Sequence, residues 1–326
     1  GKGGYTKQDI ADELGVNVST ITDTWIRDNG IYGKSENKPL EFETANLLWA
    51  NLLKTRNGNG RFFESNWLLI EAGFDYSGFR IAGFIPDRTS GESPFHPVLI
   101  TSYGTGNRPF INHAGTAMFQ DSVSGNWICQ QNVNCGWVKS TAAFSAIYSH
   151  VDVIGSTDRL RNRGGFYLQS GGHKTMYRCG SFDSHPIPVS PDVDSTQLAN
   201  NSWGGSGAYH HVGVYTETVD SFLCLESDVD LSGWERGYDM TNRIFADPAD
   251  TTTFLPVPPT ALAHNFYIQH NHANVTIRRS WATRGASHAI QDRPGGIIED
   301  NVLAEANVFG NAPGTSKDPE IGRAHV

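Results

Sequence analysis

Short runs in which apolar residues alternate with polar ones recur along the chain, and most are closed by Gly, Asn, Ser or Asp. Alternation at a period of two puts one set of side chains on one face of a strand. The runs fall at Trp67–Glu71, 79–82, 98–102, 127–130, 151–154, Phe166–Gln169, 175–178, 212–215, 222–225 and Phe266–Ile268. Near the C-terminus Asn274-Val-Thr-Ile-Arg-Arg-Ser280 is followed by Gly296-Ile-Ile-Glu-Asp-Asn301, so that Ile277 and Ile298, and Ser280 and Asn301, each lie 21 residues apart. Repetition at about 20 to 50 residues is the mark of a solenoid. A strand this short cannot bury its inner face alone and needs like neighbours above and below it. A β-sandwich would space its strands about 8 to 12 residues apart and join them by hairpin turns, which this chain mostly lacks.

Composition agrees: 38% hydrophobic and 18% charged, with 35 Gly and 15 Pro, is a turn-rich β profile. The net charge of −9 would be repelled by phosphate backbones, so the reading includes no nucleic acid. No apolar run approaches the roughly 18 residues of a membrane span. Residue 1 is Gly, no basic-then-apolar leader follows it, and the tail Ile321-Gly-Arg-Ala-His-Val326 resembles translated adapter sequence. The expectation is a metagenomic fragment of a secreted or cell-surface protein, its signal peptide not present in this fragment, with residues 313–326 a disordered or artefactual tail.

The segments Trp67-Leu-Leu-Ile-Glu-Ala-Gly73, Pro97-Val-Leu-Ile-Thr-Ser-Tyr-Gly-Thr-Gly106, Asn274-Val-Thr-Ile and Gly296-Ile-Ile-Glu-Asp-Asn-Val302 resemble right-handed parallel β-helix proteins of the pectin-lyase-like superfamily. The resemblance covers roughly residues 40 to 312 and implies an all-β fold, a right-handed single-stranded parallel β-helix. It is specific for fold and weak for activity, because this fold hosts lyases, hydrolases, epimerases, tail spikes and adhesins. The solenoid is expected over 61–312, after a small N-terminal helical cap and entry region over 1–60. Within that region Gln8-Asp-Ile-Ala-Asp-Glu-Leu-Gly has helix-turn-helix spacing, but residues 1–40 hold five Lys/Arg against six Asp/Glu, which favours a cap over a DNA reader. The stretch 183–206, with Pro186, Pro188 and Pro191 and no apolar period, is expected to be a long loop walling a groove.

Positive charge is clustered within the acidic whole. Arg159, Arg161, Arg163, His173, Lys174 and Arg178 occur without an intervening acid, and Arg159, Arg163, Lys174 and Arg178 are expected to form a stripe holding an anionic polysaccharide. The sharpest motif is Arg284-Gly-Ala-Ser-His-Ala-Ile-Gln-Asp-Arg-Pro-Gly-Gly296, preceded by His264-Asn-Phe-Tyr-Ile268. It is similar to a Ser-His-Gly-x-Gln-x-Arg-Pro-Gly-Gly run in β-helix proteins, with Ala289 here where that run has Gly. His288 can exchange protons near neutral pH and Arg293 can neutralise a uronate carboxylate. The alternative is structural: His288 capping a turn and Arg293 pairing with Asp292 or Glu299. His264, Tyr267 and Gln291 are candidate substrate contacts, and Arg284 and His211, the latter in Tyr209-His-His-Val-Gly-Val-Tyr215, are further catalytic candidates.

Two function classes follow. One is a lyase acting by β-elimination on a uronic-acid polymer, or a glycosidase using two carboxylates from the acids between 183 and 230. The resemblance to chondroitinase- and alginate-lyase-type β-helices implies a Lys-plus-Arg pair, but no Lys lies between Lys174 and Lys317, so His288, His211 or a Tyr would serve as base. The other is a non-catalytic carbohydrate-binding or structural β-helix, such as an adhesin or tail-spike segment. No cofactor is implied. The pairs Asp228/Asp230 and Asp192/Asp194 could hold Ca²⁺ or simply face water. Cys129 and Cys135 could pair across a loop, or be buried as free thiols.

Overall fold

The protein is described from a computed structural model, in residues 67–77, 93–112, 119–121, 127–140, 145–154, 157–158, 165–186, 212–233, 263–306 and 311–313. The proposed cap at 1–60, the tail from 314, and the loop beyond Pro186 lie outside those residues.

Among the described residues there is no helix. The strands form two sheets of eight and one of seven, and in each the strand order follows the order of the chain. One circuit shows the path. Phe166–Gln169 belongs to the third sheet, His173–Tyr177 to the first and Gly180–Phe182 to the second; Val214–Glu217 then returns to the third, beside Phe166–Gln169. Every strand pairing within these sheets is parallel and in register with the circuits before and after it. All-β structure with three parallel sheets visited in turn is compatible with a parallel β-helix. A further two-stranded pairing joins Thr157–Asp158 to His185–Pro186 at the start of the 183–206 stretch.

The alternating pattern sets which side chains enter the core. In the first sheet Ile100, Gln130, Tyr148, Met176, Cys224, Ile277 and Ile298 succeed one another in an inward column. In the third, Val138, Phe166, Val214, Phe266 and Ile290 do the same, all fully buried. Fully burying such a side chain contributes roughly 1.5–3 kcal/mol, so each added circuit stabilises those beside it.

The corner between the first and second sheets is made by single residues in the left-handed region: Asn132, His150, Arg178, Glu226, Arg279 and Asp300, with φ of 50–55°. The next residue secures it from inside. The Cys179 amide donates to Ser227 Oγ at 3.2 Å, that of Ser227 to Ser280 Oγ at 3.2 Å, and that of Ser280 to Asn301 Oδ1 at 2.8 Å. The spacing of Ser280 and Asn301 seen in the sequence is therefore that of a hydrogen-bonded corner ladder.

All four cysteines are free. Cys129 is registered with Leu99 and Ile147 on the outward side of the first sheet, whereas Cys135 is wholly buried on the inward side of the second, so the two thiols face opposite ways. Burial pushes the thiol pKa to about 11 for Cys129 and Cys224 and about 12 for Cys135 and Cys179.

Candidate functional site

Three strands of the third sheet carry one sequence pattern: Phe166-Tyr-Leu-Gln169, Val214-Tyr-Thr-Glu217 and Phe266-Tyr-Ile-Gln269. The first and third residues of each are buried and the second and fourth half-buried, so each strand presents a tyrosine and then an amide or carboxylate on its outward face. Register stacks them into two columns. One is Tyr167, Tyr215, Tyr267 and Gln291. Beside it Gln169 pairs with Glu217, and the next two positions along are Gln269 and Arg293, which follow Ile268 and Asp292.

The rings form a ladder. Tyr167 and Tyr215 lie 4.8 Å apart with 9° between their planes, and Tyr267 meets Tyr215 edge-on at 5.6 Å. Tyr167 and Tyr215 thus each cover one face of the other. Glu217 Oε2 accepts from the Tyr215 hydroxyl at 2.9 Å and from Gln169 Nε2. Gln269 Nε2 donates to the Tyr267 hydroxyl at 2.7 Å. Burial, then the Glu217 charge and its hydrogen bond, raise the Tyr215 phenol above its ordinary pKa. Burial also raises that of Tyr267; Arg293 opposes the rise and Glu217 adds to it.

The His288 motif joins this ladder at its C-terminal end. The guanidinium of Arg293 sits 5.4 Å from the centroid of the Tyr267 ring. His264 lies edge-on to Tyr267 at 4.8 Å and stacks on His288 at 5.0 Å. The His288 amide donates to His264 Nδ1 at 3.3 Å, a contact that places the His264 ring proton on Nε2. His264 is itself buried, whereas His288 is half-buried. The bend that follows uses Gly295 at φ 79° and Gly296, where a Cβ would stand 2.6 Å from the Val275 carbonyl oxygen. Thus His264, Tyr267, His288, Gln291 and Arg293, separate candidates in the sequence, stand on one patch. Arg293 and its neighbour Asp292 part ways: Asp292 is buried on the inward side and accepts from the Gly295 amide.

The remaining candidates lie elsewhere. Arg284 bonds Asp230 through Nε at 2.8 Å and through Nη2 at the corner after the second sheet. Burial tends to raise the Asp230 pKa, but the bonds from Arg284 and Thr283 outweigh it and hold the carboxyl low. Arg178 and Arg279 both reach Glu226, each at 2.9 Å, from the two neighbouring circuits. Lys174 is wholly buried in the inward column between Ala146 and Phe222, so it cannot belong to an outer stripe. The alternation explains this, because Lys174 shares the face of Met176 rather than that of Thr175 and Tyr177. Arg159, Arg163 and His211 lie outside the described residues, as do Asp192 and Asp194. Among the described residues no group of three or more His, Cys, Asp or Glu is placed to hold a metal ion, and no helix is long and apolar enough to cross a membrane.

Tyr167, Gln169, Tyr215, Glu217 and Gln269 are absent from the sequence-derived site. The threefold apolar-Tyr-apolar-Gln/Glu repeat, set out by circuit rather than along the chain, would have revealed them. No protein-family model, curated protein or solved structure matches the chain.

Proposed function

We propose that this chain is a right-handed parallel β-helix of the pectin-lyase-like kind, secreted or displayed at a cell surface, that cleaves an anionic, uronic-acid-containing polysaccharide by β-elimination. The right hand follows from the strong preference of parallel crossover connections for it. The observation that carries the activity is the convergence of His288, His264, Tyr267 and Arg293 at the end of an outward tyrosine and amide column.

In this reading the polymer lies along the column, its hydroxyls bonded by Gln169, Gln269, Gln291 and the phenols. Arg293 holds the uronate carboxylate, which stabilises the charge that develops there when the α-proton leaves. His288 removes that proton from C5, supported by the His264 ring stacked on it. The C4–O bond breaks, the C4=C5 double bond forms, and a proton passes to the departing oxygen. Tyr267 is placed for that last role, because its hydroxyl accepts from Gln269 Nε2 and so keeps its own proton to donate.

The test is incubation of the full chain with alginate, pectin, chondroitin and heparin-type polymers while following the ultraviolet absorbance of the unsaturated product. Growth of that absorbance with one polymer, and its loss in Arg293→Ala, is the expected result. Polymer binding without any unsaturated or reducing-end product would replace this reading with a non-catalytic carbohydrate-binding module.

A further inference from the structure

The turn that carries His288 runs through residues 284–289, from Trp281–Thr283 in the second sheet to Ile290–Asp292 in the third. Asn265 of the preceding circuit, wholly buried, holds this turn near both ends. Its side-chain Nδ2 donates to the Thr283 carbonyl at 2.8 Å, a shorter bond than the 3.3 Å one that the same oxygen accepts from the Leu231 amide. Its main-chain N–H donates to the His288 carbonyl at 3.1 Å. Between those anchors Gly285 lies against the side-chain amide: a Cβ there would stand 3.0 Å from Asn265 Oδ1 and 3.1 Å from Cγ. Asn265 is fixed in turn, since its own carbonyl accepts from the Val214 amide at 2.8 Å.

We infer that Asn265 is a positioning residue for His288, setting the direction in which that imidazole leaves the turn. The inference rests on the proposed role of His288 as base. A side chain leaves its Cα in a direction fixed by its own backbone, and both peptide groups of His288 are bonded: the N–H to His264 Nδ1 at 3.3 Å, the C=O to Asn265. The main-chain bond from Asn265 survives a substitution there. What the side chain adds is a hold on the other end of the turn. Only the NH2 of the amide can donate to a carbonyl, which leaves Oδ1 against Gly285, buried and without a partner. A buried oxygen left unpaired costs stability, so the contribution of this side chain lies in the shape it imposes on the turn. Without the amide, Gly285 faces a void, Thr283 keeps its longer bond alone, and residues 284–288 are free to settle inward. Asn265 touches no substrate position, since it is wholly buried beneath the outward column. It acts through His288, and displacing a reacting group by about 1 Å is enough to cost about 100-fold in rate.

The experiment uses the full chain with Asn265→Ala, and with Asn265→Asp, which keeps the shape of the side chain but not its donor. Two readouts are taken on folded protein. One is the nuclear Overhauser contact between the ring protons of His264 and His288, whose centroids lie 5.0 Å apart, in histidine-labelled chain. The other is kcat and KM on the polymer of the alginate, pectin, chondroitin and heparin-type panel that the parent cleaves. Both variants should weaken the ring contact and lower kcat about tenfold or more, with KM changed less than about twofold, because Arg293 and the outward column are untouched. Arg284→Ala, in the same turn but tied to Asp230, should change neither readout. If the Asn265 variants do not fold, Gly285→Ala presses on the same amide from the other side and should give the same two losses. An unchanged ring contact or an unchanged kcat in folded Asn265→Ala, or in Gly285→Ala where that variant stands in, overturns the inference; a fall in thermal midpoint alone would mark Asn265 as purely structural. A parent chain that cleaves none of the polymers overturns the reading of His288 as base and this inference with it. The two failures are told apart by the ring contact, which reports whether Asn265 holds the imidazole even where no polymer is cleaved.

Discussion

The imidazoles of His264 and His288 stack with 5.0 Å between centroids and 14° between planes, one ring buried and the other half-buried. In the proposed reaction the buried member supports and the outer member is the base. His288→Ala should therefore lower turnover about 100-fold or more with a small change in thermal midpoint, as for loss of a general base. His264→Ala should lower both, since it also strips the His288 amide of its acceptor. Wild-type turnover in folded His288→Ala would exclude that residue as the base.

Arg284 is expected to behave as a structural residue. Its guanidinium is half-exposed and paired with Asp230, and exposed pairs contribute about 0–1 kcal/mol. Arg284→Ala should leave polymer cleavage unchanged and reduce stability slightly, less so in high salt. Measured kcat/KM reduced as strongly as in Arg293→Ala would place Arg284 in the site after all.

Burial of Asp292 raises its carboxyl pKa to about 6, against a partial offset from the Gly295 amide. Between its ordinary value near 3.8 and this one, the folded chain holds a proton that the unfolded chain has released. The stability tied to this group is thus complete below about pH 4 and declines as pH rises through 6. At about pH 8, Asp292→Asn should be more stable than the parent by roughly 2–3 kcal/mol, and at about pH 4 the two should nearly coincide. Denaturant unfolding at both pH values checks this; a stabilisation equal at both would show that the charge is not its cause.

The thiols should be inert in the folded protein. With pKa values pushed to between about 11 and 12 by burial, almost no thiolate exists near neutrality, and thiolate is the reactive form. Thiol-reactive dye should label the native chain slowly and label all four cysteines after unfolding. A disulfide between Cys129 and Cys135, seen by peptide mass mapping without reductant, would contradict the opposed directions of these side chains.

Parts of the first and third sheets were legible: Trp67–Glu71 in the first, and Phe166–Gln169 and Phe266–Ile268 in the third, coincide with their predicted limits. Of the second sheet little more than the run at 151–154, observed as Asp152–Ile154, was visible. Strands such as Gly180–Phe182 and Trp281–Thr283 are three residues long and expose an aromatic or contain Gly, so pairing with neighbours, not local pattern, makes them strands. For the site, the sequence brought His288 and Arg293 together because they are five apart. It did not separate Lys174 from Arg178, which simple alternation puts on one face, because the strand ends at Tyr177 and Arg178 takes the left-handed corner. Nor did it connect Tyr167, Tyr215 and Tyr267, which are neighbours only once the intervening circuits close.

The corner ladder joins residues separated by 48, then 53, then 21 positions with bonds of one kind. Circumference is therefore not what holds the stack together. The extra residues of the two longer circuits fall at 187–211 and 234–262, each leaving the second sheet and returning shortly before a tyrosine-bearing strand of the third. The same corner bond thus closes circuits of 21 and of 53 residues, so the contact at that corner is indifferent to how much chain lies between one circuit and the next.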